Sequence, residues 1–401
     1  MAQLGPWGAR PIAVAVSGGP DSLALAWLAH RWCRAHDRSL LVLSVDHALR
    51  PESAAEARHV AALMQSWAIP SQILTLHDLS AGPGVAARAR DARYGVMIAA
   101  CGRAGIIDLL LGHHARDQAE TFLLRQEQHS GPAGLAAMAG VHVRDGVRLV
   151  RPLLEFSHQS LRDLLQQQNI RWIEDPSNQD SSKSRVRLRM GLNDAAITAA
   201  RTAAAHAAVA RAAQELATAR WLAEHVTIRP EGFAQIAARS CPPEALAALI
   251  QTIGGHEYPP PRATTARLAT ALHPATIMGV RTIKAPRGAP GFWLLREQAA
   301  MAPPVEAKPG AVWDNRFRLT GCQHLPTAAT IGALGPDAAK FRHLSDLPAA
   351  VLQTFPALRA GAALLDIPFL PAPRHDSATP VGLDFSPPRP ATSALFRPNC
   401  H

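Results

Sequence analysis

Apolar and polar residues alternate along the first 175 residues in blocks that favour strands and helices in turn. Short runs rich in Val, Ile and Leu predict strands over residues 12–16, 40–45, 72–76 and 107–111. Longer stretches with apolar residues at helical spacing predict helices over residues 23–32, 52–67 and 85–101. This alternation predicts an α/β fold with a doubly wound, mostly parallel sheet, whose ligands bind at the carboxyl ends of the strands.

The pattern changes after residue 190. Residues 192–224 are dominated by Ala with interspersed Arg and contain neither Gly nor Pro, which predicts a helical linker over 191–225. Frequent Pro and Gly beyond it indicate smaller modules. We therefore expect an α/β domain over 1–190, a central module over 226–301, a C-terminal module over 313–371 and a Pro-rich tail without fixed structure over 373–401.

Composition narrows the classes of partner. The chain has 401 residues, a net charge of +10 and a pI near 10.2, so its surface favours polyanions such as nucleic acids, although an unspecialised basic surface is the alternative. The N-terminus lacks the layout of a signal peptide and no apolar run reaches the roughly 18 residues of a membrane span, so we expect a cytoplasmic protein. The five cysteines lie far apart with no C-x-x-C pair, which argues against a zinc ribbon, a disulfide framework and an iron–sulfur site.

The loop after the first predicted strand carries the strongest chemical signal. Its residues are Ser17, Gly18, Gly19, Pro20, Asp21 and Ser22. Two glycines allow the backbone to approach a phosphate, the serines add hydroxyls, and the start of the next helix adds free N–H groups. The lysine of the commoner phosphate loop is missing. The pattern S-G-G-x-D-S resembles the pyrophosphate loop of the ATP pyrophosphatases, a Rossmann-like fold; the alternative is a glycine turn with a serine cap.

Polar residues follow two further predicted strands. Asp46 and His47 come after the second strand, and His113 follows the strand ending at residue 111. Because the carboxyl ends of parallel strands meet at one edge of the sheet, we expect these groups to converge near the pyrophosphate loop. Asp117 and Glu120 are three residues apart on the next helix and should face one side of it, although such a pair is commonly a solvated helix edge.

Motifs in these positions resemble one family of RNA-modifying enzymes. The stretches 45–53 (VDHALRPES) and 112–121 (GHHARDQAET) are similar to V-D-H-x-L-R-x-x-S and G-H-H-x-x-D-Q-x-E-T of the tRNA(Ile)-lysidine synthetases. Residues 87–94, 151–154 and 175–180 resemble that family's A-R-x-x-R-Y, R-P-L-L and D-P-S-N-x-D, the last followed by an arginine run. The specific resemblance covers about the first 190 residues. One departure is that Gln128 and His129 stand where the family usually has Arg-Gly.

The resemblance implies a set of functional residues. It implies ATP bound at residues 17–22, with Asp21 organising Mg²⁺. Catalytic roles fall on Asp46, His47, His113, Asp117 and Glu120. Substrate binding falls on Arg50, Arg88, Arg93, Arg151, Asp175, Asn178 and Arg185, since guanidinium groups suit the phosphates of ATP or RNA. By pattern alone, a solvated basic helix and a capped turn remain the alternatives for the arginine-rich segments.

The resemblance also implies a two-step reaction. ATP first adenylates the wobble cytidine, position 34, of the isoleucine tRNA with anticodon CAU, and the ε-amine of free L-lysine then displaces AMP to give lysidine. The tRNA then reads AUA and accepts isoleucine instead of methionine. The base for the lysine amine stays open among His47, His113 and a nearby carboxylate. Arg201 and Arg211 of the linker are expected to contact the tRNA backbone.

Two other functions stay open at this point. One is a tRNA base thiolase of the same fold, which the scattered cysteines disfavour. The other is an RNA-binding protein of this fold that has lost catalysis, which the retained acidic residues disfavour. The oligomeric state is also open, with a homodimer among the alternatives.

Overall fold

The computed structural model describes residues 5, 7–48, 52–76, 84–174, 188, 191–321, 325–326, 328–371, 381–392 and 396. The chain divides into two compact units. The first, called here the N-terminal unit, comprises Met1–Gln214 and Ala394–His401. The second, called the C-terminal unit, comprises Glu215–Ser393. No helix among the described residues is both long and apolar enough to cross a bilayer.

A six-stranded sheet forms the centre of the N-terminal unit. Its strands are β1 (Ile12–Ala15), β2 (Leu40–Asp46), β3 (Ser71–Thr75), β4 (Asp108–Leu110), β5 (Val141–Arg144) and β6 (Val147–Val150). They lie in the order β3-β2-β1-β4-β6-β5, and all neighbours are parallel except the β5–β6 hairpin. The doubly wound, mostly parallel sheet predicted from the sequence is confirmed.

Helices cover both faces of this sheet. They are α1 (Pro20–Ala35), α2 (Ser53–Ser66), α3 (Val85–Arg103), α4 (Ala115–Glu127), α5 (Pro132–Leu135) and α6 (His158–Gln167). Alternate side chains of β1 point to opposite faces, so Ile12 and Val14 pack in a cluster with α1 and α6, whereas Ala13 packs with α3. This two-sided burial explains the nearly continuous apolar run of β1.

The long helix α7 (Asp194–His225) confirms that the alanine-rich segment is helical. Ala200, Ala204 and Ala208 are buried at four-residue intervals, so one narrow face of the helix packs within the N-terminal unit. Ala119 and Phe122 of α4 share a cluster with Ala200 and Ala204. Small alanine side chains allow this close approach over about two turns.

The C-terminal unit is built from three antiparallel sheets. One contains β7 (Val226–Arg229), β8 (Phe233–Ile236), β9 (Ala275–Ile277), β10 (Val280–Lys284) and β11 (Phe292–Arg296). The second contains β12 (Val305–Glu306), β15 (Ala329–Ala333), β16 (Pro356–Ala360) and β17 (Ala363–Asp366). The third contains β13 (Val312–Trp313), β14 (Phe317–Gly321) and β18 (Gly382–Phe385). The helices α8 (Pro243–Gly254), α9 (Arg262–Thr270) and α10 (Ala349–Leu352) and the 3₁₀ segments Gln298–Ala300 and Gly335–Leu344 complete the unit.

Two expectations about this half of the chain need correction. The modules expected at 226–301 and 313–371 lie in one compact unit, because Phe233 and Trp293 of the first share a buried cluster with Leu352 and Phe355 of the second. Residues 373–401 were expected to lack fixed structure, yet β18 lies in this segment and hydrogen-bonds to β14. A strand partner supplies the backbone hydrogen bonds that a Pro-rich composition does not reveal.

Candidate active site

The pyrophosphate loop connects the end of β1 to the first turn of α1. Gly19 is the extended N-cap residue and Pro20 is the first helical residue, where its missing N–H costs nothing. The N–H groups of the next residues begin the helix, and their partial positive charge favours an anion at this end. The local sequence therefore builds an anion-binding turn.

Gly18 has a backbone conformation in this loop that a residue with a Cβ atom adopts only with strain. Its φ of +89° lies in the left-handed region, and a Cβ atom built there would stand 2.8 Å from Ile173 Cδ1. Its carbonyl accepts a hydrogen bond from the N–H of Ile173 at 2.9 Å. The loop is thus held from the outside by the segment at Ile173, and only glycine fits at position 18.

Both serines of the loop were expected to offer a hydroxyl to a phosphate, but the structure gives them different roles. The hydroxyl of Ser22 is buried, donates to the carbonyl of Gly19 at 2.9 Å and accepts from the N–H of Ser17 at 3.2 Å. Ser22 therefore closes the loop on itself. Ser17 is exposed and remains the serine of the loop that offers a hydroxyl to a ligand.

A cleft of about 200 Å³ opens where β1, β2 and β4 end. The predicted site residues that line it are Ser17, Gly19, Asp21, Ser22, His47, Arg93 and His113. They come from the strand ends and from α3, as expected for ligands at the carboxyl edge of a parallel sheet. Tyr94 and Gly112, which belong to the quoted motifs, also line the cleft, as does Met97, which belongs to none of them.

Asp46 lies beside the cleft and organises the backbone there. Its Oδ1 accepts hydrogen bonds from the Ser53 hydroxyl at 2.5 Å and from the Ala48 N–H at 2.9 Å. The Ser53 hydroxyl in turn accepts from the N–H of His47 at 3.1 Å. The hydrogen bonds to Asp46 lower the pKa of its carboxyl, and the bond from Ser53 contributes most. The carboxyl is therefore ionised at neutral pH. Asp46 thereby fixes the turn that presents His47 to the cleft.

Arginine side chains surround His113 and Tyr94. Two of them come from α3, and the third is the first residue of the 151–154 segment. Arg90 Nη2 donates to the Tyr94 hydroxyl at 3.3 Å, and Arg93 and Arg151 also interact with this hydroxyl. Burial, reinforced by the charge of Arg151, lowers the pKa of His113 to about 3. His113 is therefore a neutral imidazole, and a very weak base, at neutral pH.

Several polar atoms of this cluster are buried without a hydrogen-bond partner among the described residues. They are Arg93 Nε, Arg151 Nε and His113 Nδ1. Burial also lowers the pKa of Arg93 and of Arg151, although a guanidinium stays charged at neutral pH. Unpartnered donors beside a cleft are typical of a site that awaits a polar or anionic ligand. The cluster thus extends the positive field of the loop across the cleft.

Asp117 and Glu120 do not line the cleft. Asp117 Oδ2 accepts from the N–H of His114 at 3.0 Å, while the His114 ring accepts from the N–H of Arg116, and the two form the capping box of α4. Glu120 is fully buried one turn later. In the described structure Asp117 is therefore a helix cap and Glu120 a buried residue, and their role as a ligand pair stays a prediction.

The predicted substrate-binding residues are placed unevenly. Arg93 lines the cleft, whereas Arg88 is exposed on the first turn of α3 and Arg151 is buried and donates to the Ala139 carbonyl at 2.7 Å. Arg201 of α7 pairs with Glu155, and Arg211 donates to the Ala133 carbonyl at 3.0 Å. The remaining predicted residues, Arg50, Asp175, Asn178 and Arg185, lie outside the described residues.

The departure at Gln128 and His129 has a structural consequence. His129 has a φ of 51°, a left-handed conformation that favours glycine. In the turn that follows α4, His129 thus adopts a backbone conformation that glycine adopts more readily. Arg125 donates to the carbonyls of Gly134 and Ala137 at 2.7 and 2.9 Å, which braces this turn against α5.

Sequence reasoning missed His158. Its Nδ1 lies 2.7 Å from Asp21 Oδ1, although the two residues are 137 positions apart. His158 is the first residue of α6 and belongs to none of the motifs. A hydrogen-bond partner for Asp21 could be found only from the packing of α6.

The donor set fits a magnesium ion bound together with a polyphosphate. Mg²⁺ prefers hard oxygen ligands and usually takes one or two carboxylates plus phosphate oxygens. The Asp21 carboxylate lines the cleft beside the exposed Ser17 hydroxyl. The residues present therefore suit the cation that an ATP-cleaving reaction requires.

Comparisons with known proteins show which family the chain resembles. A family model described as a PP-loop domain matches residues 2–196. The tRNA(Ile)-lysidine synthase of Ruegeria pomeroyi is 34% identical over 383 residues, which cover 90% of this chain and 88% of that protein. The tRNA(Ile)-lysidine synthase of Rhodopseudomonas palustris is 40% identical over 288 residues, which cover 67% of this chain and 82% of that protein.

A solved structure, that of a U34-tRNA thiolase from Methanococcus maripaludis with its [4Fe-4S] cluster, aligns over 47% of this chain and 66% of that chain. Its 16% identity and TM-score of 0.40 are too low to bear on function. The sequence relatives are far closer, and they confirm the family predicted from the motifs. The chain belongs to the tRNA(Ile)-lysidine synthase family.

Proposed function

We propose that this protein ligates L-lysine to the wobble cytidine of the CAU-anticodon isoleucine tRNA at the expense of ATP. The observation that carries the proposal is the pyrophosphate loop, held open by Gly18 and facing His47, Arg93 and His113 across one cleft. Membership of the tRNA(Ile)-lysidine synthase family supplies the substrates. The reaction then follows from where charge must be stabilised.

In the first step, the C2 carbonyl oxygen of cytidine attacks the α-phosphorus of ATP. The bond between this phosphorus and the bridging oxygen to the β-phosphate breaks, and pyrophosphate leaves with the electron pair. The helix N-terminus of α1 and the Arg93 guanidinium stabilise the charge that develops on the leaving group. Mg²⁺ held by Asp21 supplies Lewis-acid stabilisation of the same phosphates when it is bound.

In the second step, the ε-amine of lysine attacks C2 of the adenylated cytidine, and AMP leaves with the oxygen that came from cytidine. The amine must first lose a proton. In the free protein His113 is a poor base, because burial and nearby arginines hold its pKa near 3. An anionic ligand in the cleft would offset that positive charge and raise the pKa of His113, and His47 remains the other imidazole that lines the cleft.

The thiolase alternative finds no support in the described cysteines. Cys33, Cys101 and Cys241 are buried and unpaired. Burial raises the pKa of Cys101 to about 11 and that of Cys241 to about 12, so both stay protonated at neutral pH. Sulfur transfer requires a thiolate. The two other cysteines, Cys322 and Cys400, lie outside the described residues.

The test is incorporation of labelled lysine into an unmodified CAU isoleucine tRNA transcript with ATP and Mg²⁺. We expect incorporation with formation of equimolar AMP, and loss of both in an Arg93→Ala variant that stays folded. A methionine tRNA transcript with the same anticodon is the control for substrate choice. Cleavage of ATP to AMP with lysine left free would refute lysine as the nucleophile. Absence of both AMP formation and lysine incorporation in folded protein would refute the proposal.

A further inference from the structure

His158 is held rigidly opposite the pyrophosphate loop. Ser157 caps α6, its hydroxyl accepting from the N–H of Ser160 at 3.0 Å. Leu161 and Leu165 of α6 are buried in the same cluster as Leu23 of α1. Because these leucines fix α6 against α1, the first residue of one helix faces the first turn of the other.

The contact between His158 and Asp21 has a defined polarity. The Nδ1 of His158 lies 2.7 Å from Asp21 Oδ1. An ionised carboxylate only accepts hydrogen bonds, so Nδ1 carries the hydrogen and donates. The two side chains are 32% and 23% exposed, so the bond is sheltered from water but open to the cleft on one side.

His114 completes the group around Asp21. Its Nε2 lies 3.6 Å from Asp21 Oδ2 and 3.4 Å from Asp117 Oδ2, and its ring centre is 5.2 Å from that of His158. Its Nδ1 accepts from the N–H of Arg116, so the neutral ring carries its hydrogen on Nε2. The two imidazoles thus present N–H groups to the carboxylate of Asp21.

This tautomer argues against another interpretation of the same cluster. Asp21, His114 and His158 place one ligand atom each within 4.8 Å of one another, as the ligands of a transition metal do. A metal bound at His114 Nε2 would need the lone pair that the hydrogen occupies. The helix cap therefore favours a hydrogen-bonded carboxylate over a histidine-ligated metal.

We propose that His158 is a positioning residue, whose Nδ1–H orients the carboxylate of Asp21 in the pyrophosphate loop. Each carboxylate oxygen accepts two hydrogen bonds or ligands, so the bond from His158 leaves further lone pairs for a cation in the cleft. Without this donor the carboxylate is restrained only by the more distant His114 Nε2, at 3.6 Å, and more of its ordering must accompany binding of the magnesium–ATP complex. The role rests on the proposed function, because the ordered carboxylate matters only if the loop binds that complex.

The experiment compares His158→Asn with His158→Leu. The Asn amide can place an N–H group close to the position of Nδ1, whereas Leu removes the donor. We expect His158→Leu to raise the magnesium–ATP concentration needed for half-maximal AMP formation by roughly 10-fold, the size of one hydrogen bond to a charged group. We expect His158→Asn to recover most of this loss, and the half-saturating tRNA concentration to stay constant in both.

Gln166→Leu, at an exposed position near the other end of α6, is the matched control and should behave as wild type. Wild-type kinetics in the His158→Leu variant would overturn the proposal. Equal loss in both His158 variants would also overturn it, because a donor at Nδ1 would then not be what matters. If the wild-type protein forms no AMP, it is the proposed function that fails.

A spectroscopic measurement tests the role of His158 separately from the proposed function, because it needs no catalysis. Long-range ¹H–¹⁵N correlation of histidine-labelled protein reports which ring nitrogen carries the hydrogen, and the signal absent from His158→Asn assigns His158. We expect the Nδ1–H tautomer for His158 in wild type and its loss in Asp21→Ala. An Nε2–H tautomer in wild type, or a signal unchanged by Asp21→Ala, would refute the hydrogen bond.

Discussion

Buried charge is arranged in different ways in the two units. In the N-terminal unit, Arg93 and Arg151 gather around Tyr94 and His113 beside the cleft, and neither forms an ion pair with a described residue. In the C-terminal unit, two guanidinium groups meet one carboxylate. Asp314 Oδ2 accepts from Arg296 Nε at 3.2 Å and from Arg316 Nε at 2.8 Å.

The second arrangement is closed. Asp314 also accepts from the N–H of Ala302 at 2.9 Å, and Arg316 Nη1 donates to the Gly232 carbonyl at 3.1 Å. The side chains of Arg316 and Asp314 are 1% and 2% exposed. Burial lowers the pKa of Arg316 to about 10, which still leaves it charged at neutral pH. The network joins the residue before β14 to the turn between β7 and β8, and it matches its own charge.

The contrast separates structural charge from functional charge. A buried charge that is matched by an opposite charge and by hydrogen bonds holds elements together. A cluster of cations without a carboxylate costs stability in the free protein and becomes favourable when an anion binds. The arginines of the cleft therefore indicate an anionic ligand, whereas those around Asp314 indicate a brace.

The largest expected effect comes from breaking the closed network. Asp314→Ala leaves Arg316 and Arg296 buried without their carboxylate, and we expect a loss of about 3–5 kcal/mol in the free energy of unfolding. Urea titration measures it. Glu306→Ala removes an exposed pair with Lys308, in which both side chains are 67% exposed, and should cost less than about 1 kcal/mol. Equal losses in the two variants would contradict the distinction.

The next largest effect is expected from a substitution of Gly18 in the pyrophosphate loop. Gly18→Ala places a Cβ atom 2.8 Å from Ile173 Cδ1 at a φ of +89°, and we expect it to cost about 1–3 kcal/mol and to weaken ATP binding. Gly19→Ala is the matched control, because its Cβ would meet nothing closer than Ser17 Oγ at 3.8 Å. Thermal unfolding without nucleotide should distinguish the two variants. A Gly18→Ala protein as stable as Gly19→Ala would contradict the requirement for glycine at position 18.

A smaller effect should appear in the pH dependence of stability. The hydrogen bonds to Asp46 lower its pKa in the folded protein relative to the unfolded value of about 3.9. The stability that they contribute is therefore present above about pH 4 and is lost as the pH falls through the lower folded-state pKa. We expect the difference in unfolding free energy between wild type and Asp46→Asn, about 1 kcal/mol at pH 7, to shrink towards pH 3. A difference independent of pH would contradict this.

The smallest expected effect concerns the cysteines. Replacing all five by Ala should leave lysine incorporation unchanged, because no thiolate takes part in the proposed reaction. The residues are Cys33, Cys101, Cys241, Cys322 and Cys400. The tRNA assay above measures the effect, with thermal unfolding to confirm that the variant folds. Loss of activity in folded protein would revive the sulfur-transfer alternative.

The local sequence pattern correctly predicted structural features that depend on residues close together in the chain. The strands β1–β4 lie within one residue of their predicted ends. β1, β2 and β4 are apolar runs buried on both faces, whereas β3 is largely exposed. The β5–β6 hairpin was missed although Asp145-Gly146 between the two strands is a strong turn signal, and both residues have positive φ. Its strands are only four residues long, too short for an alternating pattern to stand out.

The α/β fold, the pyrophosphate loop and the family were predictable from the sequence alone, because these depend on residues close together in the chain. The position of His47 and His113 at the cleft was predictable too, since both follow parallel strands. The contact between His158 and Asp21, across 137 positions, could be found only in the folded chain. That contact exists because buried leucines dock α6 against α1, and a docking geometry is set by packing of whole helices rather than by any local pattern.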